Sequence, residues 1–421
     1  MKKESDNKKT ETDYDVLIVG GGMVGASLAI ALIPLKIKVG LVDAFEFGVV
    51  TQPSYDDRSI ALSYGSSRIF SGMGLWNELE AKTTSIQKIH VSDRGHFGAT
   101  RLSAKKEKVP ALGYLVESRI LGKQLYDVLG KSNVDQIMPA NVLETKQIEQ
   151  GLQVTLLKDD KETQITTKLL VAADGTQSKI RELAGVGITR SDYHQAAVVA
   201  NVSTEKPHDN EAFERFTKKG PIALLPLSDN RCSLVWTHDT KNNTADLDET
   251  MALDDAAFLK KLGEEFGYRL GRFTKVGKRS TFPLALVTSE KNTATRTVII
   301  GNASHTMHPV AGQGLNLSMR DIAVLSDLIA NNLGSRNNDF GSDELLTAYE
   351  AQRSGDVKTT VRYTDSLVRL FSNDNFLLGH ARAGGLLAVD RLSPLRKLFT
   401  RQSMGVNYRQ SRLARGLSLR A

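Results

Sequence analysis

The chain has 421 residues, 40% of them hydrophobic and 24% charged, with 34 glycines; this is an ordinary globular composition and excludes collagen-like, low-complexity and wholly disordered chains. A single cysteine, Cys232, excludes an internal disulfide, a C-x-x-C redox pair and a thiolate zinc site, and points to a reducing compartment. The formal charge of +7 is concentrated late: eight Lys/Arg and no Asp/Glu lie between Arg391 and Ala421, with no recognisable nucleic-acid module around them.

At roughly 150 residues per domain the length allows two to three domains. Residues 1–13 mix lysines with acids and read as a flexible, solvated leader. Val16 to Leu35 carries no charge and is long enough to cross a bilayer. Glycines 20, 21, 22 and 25, together with Pro34, break it up, and Val16 to Val19 is strand-like, so a membrane span is rejected. The stretch reads instead as strand, glycine turn, helix and strand, closed by Asp43. Gly20, Gly22 and Gly25 occupy the G-x-G-x-x-G positions: tight turn, close approach of backbone to a pyrophosphate, and close helix packing. The helix N-terminus offers N–H groups to phosphate, and Asp43 can accept hydrogen bonds from ribose hydroxyls. This predicts dinucleotide binding without distinguishing NAD from FAD.

Further along, ITTKLLVAADGTQSKIR (165–181) predicts a strand running into an Asp174-Gly175 turn, with Ser178 and Arg181 opening a helix. AAVVANV, AFERFT, IALLPL and RCSLVWTH between 191 and 289 predict strands of an antiparallel sheet, with LSDNR as a turn and HVSDRG as an added strand. TVIIGNASHTMHPVAGQGLNLSMRD (297–321) predicts a buried strand, a glycine turn, an extended Pro309 loop and a helix from about Leu315. His305 and His308 lack the further ligands of a metal site. Their place before the Pro309 loop suits loop structure, and makes His308 a candidate for substrate proton transfer. The last fifty residues alternate apolar clusters with Lys/Arg. They suit either an interfacial segment on anionic lipid or a docked helix with a solvated basic tail.

Taken together, the three glycine-bearing motifs resemble the aromatic-hydroxylase class of FAD-dependent monooxygenases over roughly residues 14 to 371. Within it, DDRSIALSYGSSRIF, HVSDRGHFGATRL, AFERFTKKGPIALLPLSDNRCSLVWTH and TDSLVRLF are similar to the ubiquinone-biosynthesis hydroxylases, especially those of a 2-polyprenyl-6-methoxyphenol. The resemblance implies an α/β fold: an FAD-binding Rossmann-like domain (14–88, 112–190 and 290–371) interleaved with an antiparallel-sheet substrate domain (89–111 and 191–289), and a helical basic C-terminal region (372–421). It assigns Gly20, Gly22, Gly25 and Asp43 to the ADP half of FAD, Asp174 to the middle motif, and Gly301, Asn302, Gly312, Gly314 and Asn316 to the flavin side. Arg58 and Arg119 fall where the class places arginines beside the cofactor, and Pro309 where it places a rigid turn and carbonyl beside the flavin. Gly301-Asn302 departs from the usual Gly-Asp, exchanging a charge for a neutral amide. The implied reaction hydroxylates a polyprenyl phenol through a flavin hydroperoxide, with NAD(P)H and dioxygen as cosubstrates, in the cytoplasm or peripherally on its membrane. Other ubiquinone-biosynthesis proteins are expected partners, and neither metal nor nucleic acid is required. Hydroxylation at another ring position, a flavin dehydrogenase or oxidase, and a non-catalytic flavin-bound assembly partner are the rival readings.

Overall fold

A computed structural model describes residues 12–46, 58–95, 98–334, 338–371, 376–408 and 410–419; the leader apart from Thr12 and Asp13, and Arg409 and Arg420 of the basic tail, lie outside them. The first sheet runs, from one edge, Thr293–Ala294, Thr297–Ile299, Lys161–Ala172, Tyr14–Val19, Val39–Val42 and Asp135–Ile137, with the hairpin Asn141–Ile148 and Gly151–Lys158 attached. Its central pairings are parallel. Parallel strands are covered on both faces and so read as unbroken aliphatic runs, as VLIV at 16–19 does: all four side chains are buried. The helix Met23–Leu32 then crosses over to Val39–Val42, completing the parallel unit.

Register fixes what comes next. Val19 pairs with Val42 and Ala172, and Ala172 pairs with Ile299. The turns at Gly20, Asp174 and Gly301 therefore leave the sheet side by side, at the carboxyl ends of adjacent parallel strands, where open α/β sheets form their ligand crevice.

The second, nine-stranded sheet is mostly antiparallel: His305–Thr306, Ser280–Ser289, Ile188–Thr204, Arg231–Asp239, Gly220–Pro226, Glu211–Thr217, Lys88–Asp93 and Ala99–Ser103, with Phe273–Val276 beside Ile188–Thr204. The four segments expected between 191 and 289 are all strands. The LSDNR turn follows from Asp229 and Asn230, both at positive φ (59° and 54°), a pair of conformations that these residue types tolerate. HVSDRG joins as a strand, pairing in parallel with Glu211–Thr217. Side chains alternate across this sheet: Ile222, Leu224, Leu234 and Trp236 pack with Phe258, Leu262 and Phe266 of the helix Asp255–Phe266, while Ala223, Leu225 and Val235 face a cavity. A three-stranded sheet, Ser59–Ser63, Gly113–Glu117 and Thr84–Ile86, comes from the chain between the strands Val39–Val42 and Asp135–Ile137 of the first sheet. Trp76 packs edge-on against Tyr114 and Trp236 against Phe258.

The helix Gln313–Asn332 is buried along most of its length and carries charge into the core. Asp321 accepts hydrogen bonds from His305 Nε2 (2.8 Å), Arg353 Nε (2.8 Å) and the Gly301 N–H (3.2 Å). Burial works against its ionisation, yet Arg353 and His305 hold its carboxyl down to about 2. Arg320, also buried, pairs with Asp356 and donates to Thr360. The long helix Asp343–Phe371, which supplies Arg353, Asp356 and Thr360, is thereby fastened to the third motif. Beyond it, the helices Phe376–Arg391 and Ser393–Ser403 follow. Among the described residues no helix is long and apolar enough to cross a membrane.

Two predictions arise from the packing. A Cβ on Gly25 would lie 1.9 Å from the Gly20 carbonyl oxygen, so Gly25→Ala is expected to cost about 3 kcal/mol of stability by chemical denaturation, at the upper end for an overpacked site. Burial also lowers His90 and His308 to about 4, with Arg269 adding to the effect at His90. The unfolded chain takes up these protons near about pH 6.5. Their contribution is therefore whole above that pH and lost as pH falls through about 4. Thermal denaturation of His308→Gln should accordingly show a shallower loss between those limits than the unsubstituted chain.

Candidate cofactor crevice and substrate cavity

The three motif turns enclose one crevice of about 650 Å³, lined by Gly20, Gly22, Met23, Asp43, Asp174, Gly175, Asn302, Leu315 and Ser318 among others. Each glycine of the first turn has its own reason. Gly20 has φ of 107°, and a Cβ there would lie 2.3 Å from the Ala173 carbonyl oxygen, so the neighbouring motif excludes a side chain. At Gly25 the helix rests on the turn itself. Gly22 has no heavy atom within 4 Å of where its Cβ would be. Among the described residues no atom stands against a side chain there, and the space belongs to the crevice. No side chain caps the helix that follows, leaving its first-turn N–H groups available for an anion.

Asp43 directly follows the strand Val39–Val42, and its carboxylate accepts from the Gly21 and Phe45 N–H groups. These bonds fix the carboxylate at the crevice with lone pairs to spare for hydroxyl donors. Asp174 caps its own turn, accepting from Ser178 Oγ (2.5 Å) and the Ile180 N–H (3.1 Å). Ser178 in turn caps the short helix Lys179–Leu183. Arg181 ties the second motif to the third, donating to the Ala303 carbonyl at 2.7 Å and to Thr176 at 3.1 Å. Asn302 is exposed at the crevice, and Gly301 reaches φ of 62° with its N–H on Asp321.

The helix of the third motif begins at Gln313, two residues before the expected Leu315, because Gly312 turns the chain at φ of 59°. Its first turn divides the crevice from a second cavity: Leu315 and Ser318 face the former, Gly312 and Asn316 the latter. Gly314 has open space where a Cβ would be. Asn316 uses both amide hydrogens on the Ala61 and Gly312 carbonyls, and its oxygen accepts from the Ser63 N–H and Ser66 Oγ. It fastens this helix to the strand Ser59–Ser63.

The second cavity, of about 510 Å³, is bounded by Pro309 and Gly312 at the third motif, by the inner face of the nine-stranded sheet, and by Leu386, Val389, Leu395 and Phe399 of the C-terminal helices. Those helices are docked: Thr100 Oγ1 donates to the Leu386 carbonyl at 2.7 Å, and the Arg101 N–H to Asp390 Oδ1 at 2.9 Å.

Six expected site residues line neither cavity: Gly25, Gly301 and Gly314, and also Arg58, Arg119 and His308. Arg58 stands 5.4 Å over the Phe282 ring, and Asp56 and Asp57 before it lie outside the described residues. Arg119 lies near Glu117. His308 is buried, accepts from the Val310 N–H through Nδ1 and packs edge-on to Tyr193. Burial keeps it neutral, with a pKa of about 4. Asp321, Glu214 on the wall of the second cavity and the cavity-lining residues of the C-terminal helices carry no signal that the sequence reading picked out.

The residues fit a flavin dinucleotide: an uncapped helix end, a glycine held open for a ligand and a carboxylate after the second strand share one crevice with Asn302, Leu315 and Ser318 of the third motif. A family model described as FAD binding domain matches residues 13–364. Ubiquinone hydroxylase UbiL of Rhodospirillum rubrum is 37% identical over 96% of this chain and 93% of its own. Human mitochondrial ubiquinone biosynthesis monooxygenase COQ6 is 31% identical over 92% of each chain. The structure of p-nitrophenol 4-monooxygenase PnpA from Pseudomonas putida superposes with a TM-score of 0.76 at 15% identity, covering 95% of this chain and all of that one, which speaks for the fold. With its three motifs meeting at one edge of a parallel sheet and the family match spanning most of its length, the chain belongs to the FAD binding domain family and takes FAD as its cofactor.

Proposed function

We propose that the protein is an FAD-dependent monooxygenase that hydroxylates the aromatic ring of a polyprenylated (methoxy)phenol in ubiquinone biosynthesis, with NAD(P)H and dioxygen as cosubstrates. The observation that carries this reading is the apolar cavity that begins at Pro309 and Gly312, beside the FAD crevice, and extends to the C-terminal helices. The names of the full-length relatives point to the same chemistry.

Bound FAD supplies the electron transfer and oxygen activation that amino-acid side chains lack. The chain supplies position and dryness. Gly20, Gly22 and the following helix end would hold the pyrophosphate and Asp43 the ribose. Asn302 would meet the ribityl side as a neutral amide, and Asn316 would act indirectly, by fixing the helix start. Pro309 stiffens the turn at the cavity, and the apolar walls exclude water from the ring to be oxidised. His308, neutral and in neither lining although Pro309 and Val310 after it line the substrate cavity, fits a loop-structural role better than proton transfer. The segments 14–88, 112–190 and 290–371 would form the cofactor domain, and 89–111 and 191–289 the substrate domain. Leu392, Leu395 and Leu398 are exposed beside Arg391, Arg396, Lys397 and Arg401, a composition suited to peripheral contact with an anionic lipid surface.

Purified holoenzyme given NAD(P)H, isotopically labelled dioxygen and a short-prenyl methoxyphenol should release a product heavier by one labelled oxygen. An oxidised product without that oxygen would overturn the reading in favour of a dehydrogenase or oxidase. Gly22→Val separates crevice from fold: melting of the apoprotein should match the unsubstituted chain, while FAD affinity falls by about a hundredfold, roughly 2.7 kcal/mol, read as loss of bound flavin absorbance.

A further inference from the structure

The apolar cavity reaches the surface at two places. Of the described residues that line it, Pro309, Leu370, Gly385 and Leu395 are the exposed ones. Pro309 belongs to the third motif, on the flavin side. The other three come one each from the helices Asp343–Phe371, Phe376–Arg391 and Ser393–Ser403. The first of these helices measures how far apart the two places are. It meets the third motif at Val357, which clusters with Met307 and Leu317, and Val361 packs against the same cluster. Leu370 then stands about 13.5 Å farther along the helix than Val361, at the usual rise per residue. Tyr363, Leu367 and Leu370 line the cavity over that length, at the spacing of one helix face.

The outer end is apolar and firmly built. Leu386 and Asp390 tie the helix Phe376–Arg391 to the strand Ala99–Ser103. A Cβ on Gly98 would lie 2.4 Å from the Ala383 carbonyl oxygen, so the helix rests directly on the edge of the sheet. Gly385 and Val389, one turn apart, line the cavity beside Leu395 and Phe399, one turn apart on the next helix. Glycine weakens a helix interior relative to alanine, yet Gly385 sits in the middle of its helix. Among the described residues no heavy atom lies within 4 Å of where its Cβ would be. Their packing gives no reason for a glycine there, whereas an occupant of the cavity does.

We propose that the outer end, framed by Leu370, Gly385 and Leu395, is the passage through which the prenyl chain of the substrate leaves the cavity, with Gly385 keeping it wide enough for a branched chain while the ring lies at the Pro309 end. The inference rests on the phenol reading above and deepens it. A closed chamber of about 510 Å³ would limit the length of the tail; a passage open at its outer end does not. A chain lying between Leu367, Val389, Leu395 and Phe399 buries apolar surface on both sides and fills the opening by which water would reach the ring. Outside the mouth, Leu392 and Leu398 are exposed on either side of Leu395 in sequence, so apolar surface continues outward for a longer tail.

The test grades the ligand and moves one side chain. Binding of methoxyphenols from the bare ring to a tetraprenyl chain is measured by perturbation of the flavin spectrum, in unsubstituted holoenzyme and in Gly385→Leu and Gly384→Leu. Gly384 is exposed, equally unobstructed among the described residues and outside the lining, so it takes the same side chain on the same helix away from the passage. The unsubstituted protein should bind at least about tenfold more tightly for the first isoprene unit added, through burial of its carbon atoms, and level off once further units lie beyond the mouth. Gly385→Leu should weaken the tetraprenyl phenol at least about tenfold more than the bare ring, as overpacking of the bore requires, and Gly384→Leu should weaken neither. A flat chain-length series in the unsubstituted protein would overturn the passage whatever the variants do. So would equal losses for bare ring and tetraprenyl phenol in Gly385→Leu, or the same tail-selective loss from Gly384→Leu. If Gly385→Leu does not fold, Leu395→Glu takes its place, setting a charge at the exposed rim, with the same expected selective loss and the same overturning result. Tail-selective binding without an oxygen-bearing product would leave the passage standing and remove the monooxygenase reading; an oxygen-bearing product with a flat series would do the reverse.

Discussion

Val19, Ala172 and Ile299 lie side by side at the ends of three parallel strands, and the cofactor crevice depends on that register. Each strand ends in a short aliphatic stretch that is buried, and none could be displaced by one residue without turning its whole set of side chains over. The chain then leaves the sheet three times at one edge, from segments far apart in sequence. The glycines follow from this crowding: Gly20 is pressed against Ala173 of the next motif, and Gly25 against the turn that precedes it. Gly22 and Gly314 differ in kind, since protein atoms leave their side-chain positions open.

The same edge is braced from behind by charge. Asp321 holds the Gly301 N–H, His305 and Arg353 at once. Removing one member of such a buried set strands the others without a partner, typically at about 3–5 kcal/mol. This arrangement links the third motif to the helix Asp343–Phe371, and through that helix to Tyr363 at the substrate cavity. Cofactor and substrate walls are thus continuous in covalent and hydrogen-bonded structure, which suits a reaction requiring two planar groups at fixed orientation.

The sequence made the first motif legible because its signals agree: a four-residue aliphatic strand, glycines at three defined offsets, a helix and a carboxylate. The strands between 191 and 289 were legible from alternation and from the Asp229-Asn230 turn. Asn316 was legible as important, but its bonds to Ala61 and Ser63 could not be foreseen, since that strand is over 250 positions away. Glu214 was hidden by the alternation that revealed its strand: in AFERFT a glutamate directly after Phe213 reads as solvent-facing, whereas this face lines the cavity. Arg58 and Arg119 rested on resemblance alone, and both stand outside the two cavity linings. For the C-terminal residues, mixed apolar and basic composition suited a docked helix as well as a lipid-facing one.

The helix Phe376–Arg391 does two jobs at the strand Ala99–Ser103. Through Leu386 and Val389 it closes the substrate cavity, and through Asp390 it occupies an amide of the last strand in the nine-stranded sheet. An uncovered terminal strand offers a ready template for pairing with another chain. The segment that seals the oily chamber therefore also shields the molecule from sticking to its own copies, and solubility and substrate enclosure are bound to the same stretch of polypeptide.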